Sequence, residues 1–229
     1  MSNELPGTKK LVLKTAGITL AAAIVLFALV TVIMIFAAPA KTAAIATDLR
    51  LFGAATDLQE RAYEKDPSVN NLGILIDYAS AANDNARLET YCPAMLEHAD
   101  FAAYRDFRNA KKTVSVTGEY GDYVSGTYAV ALYKNGKKNA ALDAVRNSFG
   151  AEYGQNSAAE YLLFSAMEQP DLPVVSGVVE LLTAQYDKIV AASGANAGSR
   201  EIAKDIAFAY SGKGLNNPAN YELWLSRTK

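Results

Sequence analysis

The chain has one cysteine, one histidine and one tryptophan in 229 residues. A lone Cys92 closes no internal disulfide, so stability must come from packing. Its simplest reading is a small buried apolar residue, with an intermolecular disulfide or a reactive thiol as the alternatives. A lone His98 excludes multi-histidine metal sites and weakens any Ser-His or Cys-His arrangement. Cys92 and His98 stand six residues apart, near two helical turns, but no third group is placed to orient them. There is no CxxC, no GxSxG elbow and no phosphate-binding GxxxxGK[ST]. Ser226-Arg227-Thr228-Lys229 spells SxxK at the extreme terminus without its companion motifs. No metal or cofactor is expected.

Charge of either sign is also in short supply. Lys and Arg number 22, Asp and Glu 24. The basic stripe that nucleic acid requires is missing, so no nucleic-acid partner is expected. Carboxylates are scattered, as at Glu152, Glu160, Glu168 and Glu180. General acid–base work needs just two of them together, but no spacing singles out a pair.

What is present is a run without charge, Thr15–Ala38, TAGITLAAAIVLFALVTVIMIFAA. Crossing a bilayer as a helix takes roughly 20 apolar residues. Its only polar side chains are Thr15, Thr19 and Thr31, whose hydroxyls can bond back to helical carbonyls. Lys9, Lys10 and Lys14 precede it, with Glu4 as the only acid there. This bias favours a cytoplasmic N-terminus. The expectation is a single-pass anchor in the plasma (inner) membrane: tail 1–14 inside, transmembrane helix 15–38, and the remaining domain outside the cytoplasm. Two alternatives stay open. Ala38-Pro39-Ala40 resembles a signal-peptide cleavage site, although cleavable apolar cores are about 7–15 residues long. A buried soluble helix is the other. Small residues at Ala16, Gly17, Ala21, Ala22, Ala23 and Ala28 would allow lateral helix association.

Beyond the anchor the pattern is helical. Residues 41–66 read as one helix leaving the membrane, with Ala44, Leu51, Ala55, Leu58 and Ala62 at 3–4 spacing and Asp66-Pro67 as its stop. Val69–Ala82 follows, then a turn at Asn83-Asp84-Asn85. Ala86–His98 is next, with Pro93 in its first turns or kinking it, and then Phe101–Lys111. Residues 112–126 carry Gly118, Gly121 and Gly126, with Val114 and Val116 alternating. They read as a loop or short extended piece between a first helical segment, 39–111, and a second, 127–229. In the second, helices are expected at Thr127–Asn135, Lys138–Phe149, Ser157–Glu168, Pro173–Ala192, Ser199–Ser211 and Pro218–Arg227. Ser157 with Glu160 suggests a capping box. Pro173 and Pro218 suit first turns. Residues 193–199 read as a small-residue linker, and Gly212-Lys213-Gly214 as a helix stop.

The fold class is therefore all-α: one transmembrane helix, then an α-helical hairpin array. Ala55, Ala62 and Pro67 match the two small positions and closing proline of a tetratricopeptide second helix. Tyr133, Gly136 and Ala141-Leu142 match the turn between paired helices. Residues 71–100 follow with Asn83-Asp84 at the turn, Leu88 in place of the small residue, and Asp100 where proline is expected. The chain thus resembles a degenerate tetratricopeptide-repeat protein over about half of the region beyond the anchor. That resemblance implies a protein-binding scaffold with a concave groove.

Thirteen tyrosines are the compositional oddity. Tyrosine offers a large contact area with a polar tip. Tyr78, Tyr91, Tyr104, Tyr120, Tyr123, Tyr128 and Tyr133 are candidates for a partner-binding groove, for glycan stacking, or simply for filling helix seams. The expected function is a non-catalytic scaffold that binds or organises a partner protein at the extracytoplasmic surface of the membrane. The alternatives are an accessory subunit of a larger membrane complex held through its anchor, and a membrane-tethered envelope hydrolase using carboxylates.

Overall fold

A computed structural model describes residues 6–111, 119–150 and 156–229. Among these are twelve α-helices and no strand. They run α1 (Pro6–Ala37), α2 (Pro39–Asp48), α3 (Phe52–Lys65), α4 (Val69–Ala82), α5 (Asn85–Leu96), α6 (Phe101–Lys111), α7 (Tyr120–Lys134), α8 (Lys138–Ser148), α9 (Ser157–Glu168), α10 (Leu172–Ser193), α11 (Ala197–Ala209) and α12 (Pro218–Ser226). Two compact units divide them, Met1–Pro67 and Ser68–Lys229.

In the first unit, Leu11–Ala37 of α1 is long and apolar enough to cross a membrane, and none of its most apolar window is buried by protein. Ile18, Val25 and Phe27 stand exposed on it. Thr15, Thr19 and Thr31 donate their hydroxyls to the carbonyls of Leu11, Thr15 and Phe27, 2.9–3.0 Å away. The helix stops at Ala37 because Ala38 leaves helical geometry and Pro39 restarts the chain as the first residue of α2. At its end, Lys65 of α3 donates to the Phe36 carbonyl. Arg61 lies 6.0 Å over the Phe36 ring. The lysine thereby serves a carbonyl near the end of α1, where the helix leaves its last carbonyls orphaned.

The single helix expected over 41–66 is two helices. Arg50 takes a left-handed φ of 58°. Leu51 N–H then bonds the Ala46 carbonyl at 2.8 Å, which closes α2 as a left-handed C-cap does. No glycine marks the site, so the spacing alone read straight through it. The small residues Ala43, Ala46, Ala55 and Ala62 are all buried. Lacking bulk, they allow α2 and α3 to pack closely.

The second unit is organised around α7. This helix packs against α5, α6, α8 and α9. It is buried nearly all round, at Tyr120, Val124, Gly126, Ala129, Ala131 and Leu132 among others, as a central helix must be. It begins at Tyr120, so 120–126 are its first turns and not the loop expected there. Residues 112–118 of that expected loop lie outside the described residues. The sequence cue misled because Gly121 and Gly126 are packing residues, not breakers. Glu119 and Asp122 form a capping box at the start of α7. Asn109 of α6 adds a third partner there, accepting from the Tyr120 N–H at 2.8 Å. One end of α7 thus has the orphan donors of a helix start satisfied.

The turn at Asn83-Asp84 forms as expected. Asn83 is left-handed, at φ 55°, and Asp84 caps α5 through the Arg87 N–H. Pro93 sits well inside α5, not in its first turn. The capping box expected at Ser157 and Glu160 is absent; Asn156 is the N-cap of α9 and makes no side-chain cap bond. Asn196 with Ser199 forms one instead, at α11. The core beyond α6 gathers Leu132, Val145, Leu162, Leu163, Val175, Val178, Leu182, Ile202 and Ile206. Trp224 of α12 closes it, edge-on to Tyr186 at 5.0 Å. Gly214 is pressed against the Ala209 carbonyl, which leaves no room for a β-carbon where the chain turns out of α11.

Candidate functional site

The seven candidate tyrosines are not arrayed on one open face. Tyr104, Tyr120 and Tyr133 are buried, at 7%, 0% and 5% exposure, so their rings are out of a partner's reach. Tyr78, Tyr91, Tyr123 and Tyr128 are half-buried. Three of the seven come together. Tyr104 meets Tyr120 edge-on at 5.4 Å, and Tyr123 lies 5.9 Å from Tyr120. Tyr133 reaches the other way, donating to Asp171 at 3.3 Å; Asp171 also holds Lys138 at 2.6 Å.

A charge sits inside the aromatic cluster. Arg108 is 8% exposed. Its Nη1 donates to Asp77 Oδ2 and to the Tyr104 hydroxyl, both at 3.0 Å. Its guanidinium also stacks 4.5 Å over the Tyr120 ring. Burial pushes the Asp77 carboxyl up, and the guanidinium only partly offsets this. Arg108 stays charged despite its own burial, because Asp77 and Tyr104 both favour the cation. The α4 backbone is close to this cluster, since Gly73 leaves no space for a β-carbon against Tyr104. Nothing in the sequence joins Asp77 to Arg108; the pair is made by α4 and α6 meeting. Its chemistry is structural: a paired charge that fixes how three helices meet.

A polar cleft open to solvent lies elsewhere, about 480 Å³ in volume and lined by Asn83, Val130, Lys134, Glu160, Tyr161, Phe164, Ser165 and Glu168. The α9 side supplies most of it. Tyr161 lies on the bare face of Gly126 in α7. Its hydroxyl is buried and has no hydrogen-bond partner, and neither has the Ser165 hydroxyl. Ser165 is 7% exposed. Phe164, by contrast, is 45% exposed, and its ring is tilted against that of Phe208 with the ring centres 5.1 Å apart.

Negative charge collects beside the cleft. Burial, then Asp122 and Glu201, raise the Glu160 carboxyl. Burial and the nearby charges of Glu160 and Glu201 push Asp205 of α11 up to about 7, with Lys204 offsetting part of this. Tyr161 is raised to about 12 by burial and by Glu160 and Asp122. Glu160 and Glu168 were visible only as two of several scattered acids, and Glu152 lies outside the described residues. Asp205 left a fainter trace: an acid in an apolar stretch, one residue from the buried Ile206 and three from the buried Ile202.

Cys92 is fully buried, and burial raises its thiol. His98 is turned to its own backbone, accepting from the Asp100 N–H at 3.1 Å through Nδ1. No group of three or more His, Cys, Asp or Glu is placed to hold a metal ion among the described residues. Compared with protein-family models, curated proteins and solved structures, the chain matches none.

Proposed function

We propose that this chain is a single-pass, membrane-anchored, non-catalytic helical scaffold with a tetratricopeptide-like arrangement. Its unit beyond the anchor binds or organises a partner protein on the extracytoplasmic side of the plasma (inner) membrane. The observation that carries the reading is the unburied apolar helix α1. A helix of that length with no protein covering it costs about 25 cal/mol for each Å² left in water, so it needs lipid or another membrane helix around it. Support for the binding role comes from the second unit, which offers an open cleft lined by Asn83, Lys134, Glu160 and the half-exposed Phe164.

Affinity purification in mild detergent with mass spectrometry tests the reading. One protein recurring in stoichiometric amount supports it; a chain that repeatedly purifies alone overturns it. Topology has a separate test. Ala195 is exposed at the α10–α11 turn, and Cys92 is sheltered. Ala195→Cys on intact cells should react with a membrane-impermeant maleimide; labelling only after lysis would reverse the orientation.

A second reading has one observation in its favour. Asp205 raised to about 7 beside Glu160 is the kind of carboxylate pair that acid–base hydrolysis uses. It predicts turnover of envelope polymers that Asp205→Asn abolishes. The scaffold reading predicts no such turnover to abolish.

A further inference from the structure

We infer that the α2–α3 hairpin is a second membrane contact: the free face of α2 and the turn after it lie in the headgroup layer of the bilayer that α1 crosses. The inference rests on the reading of α1 as a membrane span and adds a lipid surface to what the chain binds.

The first observation is a two-sided hairpin. Ile45, Leu49 and Leu51 are 49%, 65% and 55% exposed. They follow closely on the apolar span, which ends at Ala37. On α2 the exposed residues Ala40, Lys41, Ala44, Ile45 and Asp48 fall at helical spacing, opposite the buried Ala43 and Ala46. The exposed stripe of α3 is different: Ala54, Asp57, Arg61 and Glu64, three of them charged. One side of the hairpin is thus mainly apolar and the other mainly charged, the pattern of an element that lies in an interface.

The second observation is where the hairpin is attached. Ala38, at φ −140° and ψ 61°, interrupts the helical run, so α2 leaves the line of α1. α3 packs along α2 and returns until Lys65 donates to the Phe36 carbonyl in the last turn of α1. Arg61 meets the Phe36 ring. The base of the hairpin is thereby pinned to the end of the span, where hydrocarbon gives way to headgroups. The ten residues of α2 reach about 15 Å at 1.5 Å per residue. An interfacial helix sinks its apolar face only about 5–10 Å into the boundary of headgroups and acyl chains. A short arm held at that level meets this layer along its length.

The third is charge. Lys41 and Arg50 flank the apolar residues and are exposed, with Asp48 as the one acid on that face. Their stems can lie along apolar surface while their heads reach lipid phosphates. A protein partner fits this face less well. Three large apolar side chains fall far short of a stable protein interface, which takes about 20–30 residues a side. Lipid needs no such area here, because α1 already holds the hairpin at the membrane.

The test uses the full chain in vesicles of phosphatidylcholine and phosphatidylglycerol, with some of the lipid carrying a nitroxide near the top of its acyl chains. Cys92 is sheltered, so an environment-sensitive fluorophore can be placed on one added cysteine at a time. Leu49→Cys and Leu51→Cys report the contact. Leu51 lies beyond the end of α2, so its variant does not depend on that helix keeping its form. Ala54→Cys reports the charged side of the same hairpin, and Val25→Cys reports the span. The nitroxide lipid should quench the Leu49 and Leu51 labels at least about twofold more than the Ala54 label. If either quenches no better than Ala54 while Val25 quenches strongly, the hairpin contact is wrong and the span stands. If Val25 is not quenched, the span fails and this inference falls with it. A Leu49 label that is blue-shifted yet out of the nitroxide's reach means that protein covers the face, and this too overturns the contact.

Discussion

The ring of Tyr161 rests directly on Gly126: a β-carbon at 126 would stand 2.5 Å from Tyr161 Cγ. Glycine in a helix interior ordinarily lowers stability by about 1 kcal/mol relative to alanine. Here the sign reverses, because the added methyl must displace a ring that walls the cleft. Gly126→Ala should cost about 1–3 kcal/mol, read as a lower melting temperature. Gly53→Ala serves as the control, since nothing lies within 4 Å of its added carbon. It should be neutral or slightly stabilising. If both substitutions raise the melting temperature, the seat is looser than described.

Arg108→Met should be among the more damaging single changes in the second unit. It leaves Asp77 without its ion-pair partner and removes the cation from the Tyr120 ring. Losing one member of a fully buried pair costs about 3–5 kcal/mol. The Asp77 side chain is 34% exposed, so about 2–3 kcal/mol is expected here. Asp77→Asn combined with Arg108→Met should recover part of the loss in denaturant titrations. Strict additivity would show that the pair is not coupled.

Asp205 gives the molecule a pH dependence of definite sign. Its carboxyl is raised from 3.8 to about 7 in the folded chain. Between those values the folded state keeps a proton that the unfolded state has released. Stability therefore falls as pH rises from about 4 to about 7, by an upper limit of about 4 kcal/mol. Glu160 is also raised and adds in the same direction. Asp205→Asn should raise the melting temperature at pH 8, leave it little changed at pH 4, and flatten the slope between. An unaltered pH profile would refute the shared burial of these acids.

Cys92 should resist thiol reagents in the folded protein. It is fully buried, and burial raises its thiol. Alkylation should proceed at the rate of unfolding and accelerate with denaturant. Rapid labelling of the native chain would contradict its placement in α5.

Much of the architecture was legible because helix signals are local. Asn83-Asp84, Pro173 and Pro218 marked real helix starts and turns, and the apolar run marked α1. What escaped was tertiary. Arg50 adopts a left-handed cap with no glycine to announce it. Gly121 and Gly126 looked like punctuation, yet both are buried in α7, and Gly126 lets the Tyr161 ring approach it. Tyr104 and Tyr120 looked like contact residues, yet they surround a buried guanidinium. The cleft was least legible of all. Asn83, Lys134 and Glu160 belong to three separate stretches of chain, and only packing brings them to one opening. The unsatisfied hydroxyls of Tyr161 and Ser165 have no sequence signature whatever.

The apolar span Leu11–Ala37 holds 27 residues, which makes a rod about 40 Å long at 1.5 Å per residue. The hydrocarbon layer it is proposed to cross is only about 30 Å deep. The surplus of about 10 Å has to be absorbed by leaning, by thickening the lipid around it, or by lifting one end into the headgroups, where Lys14 can snorkel. A rod with length to spare tolerates sheets of differing depth, so thickness alone would not confine it to one kind of bilayer.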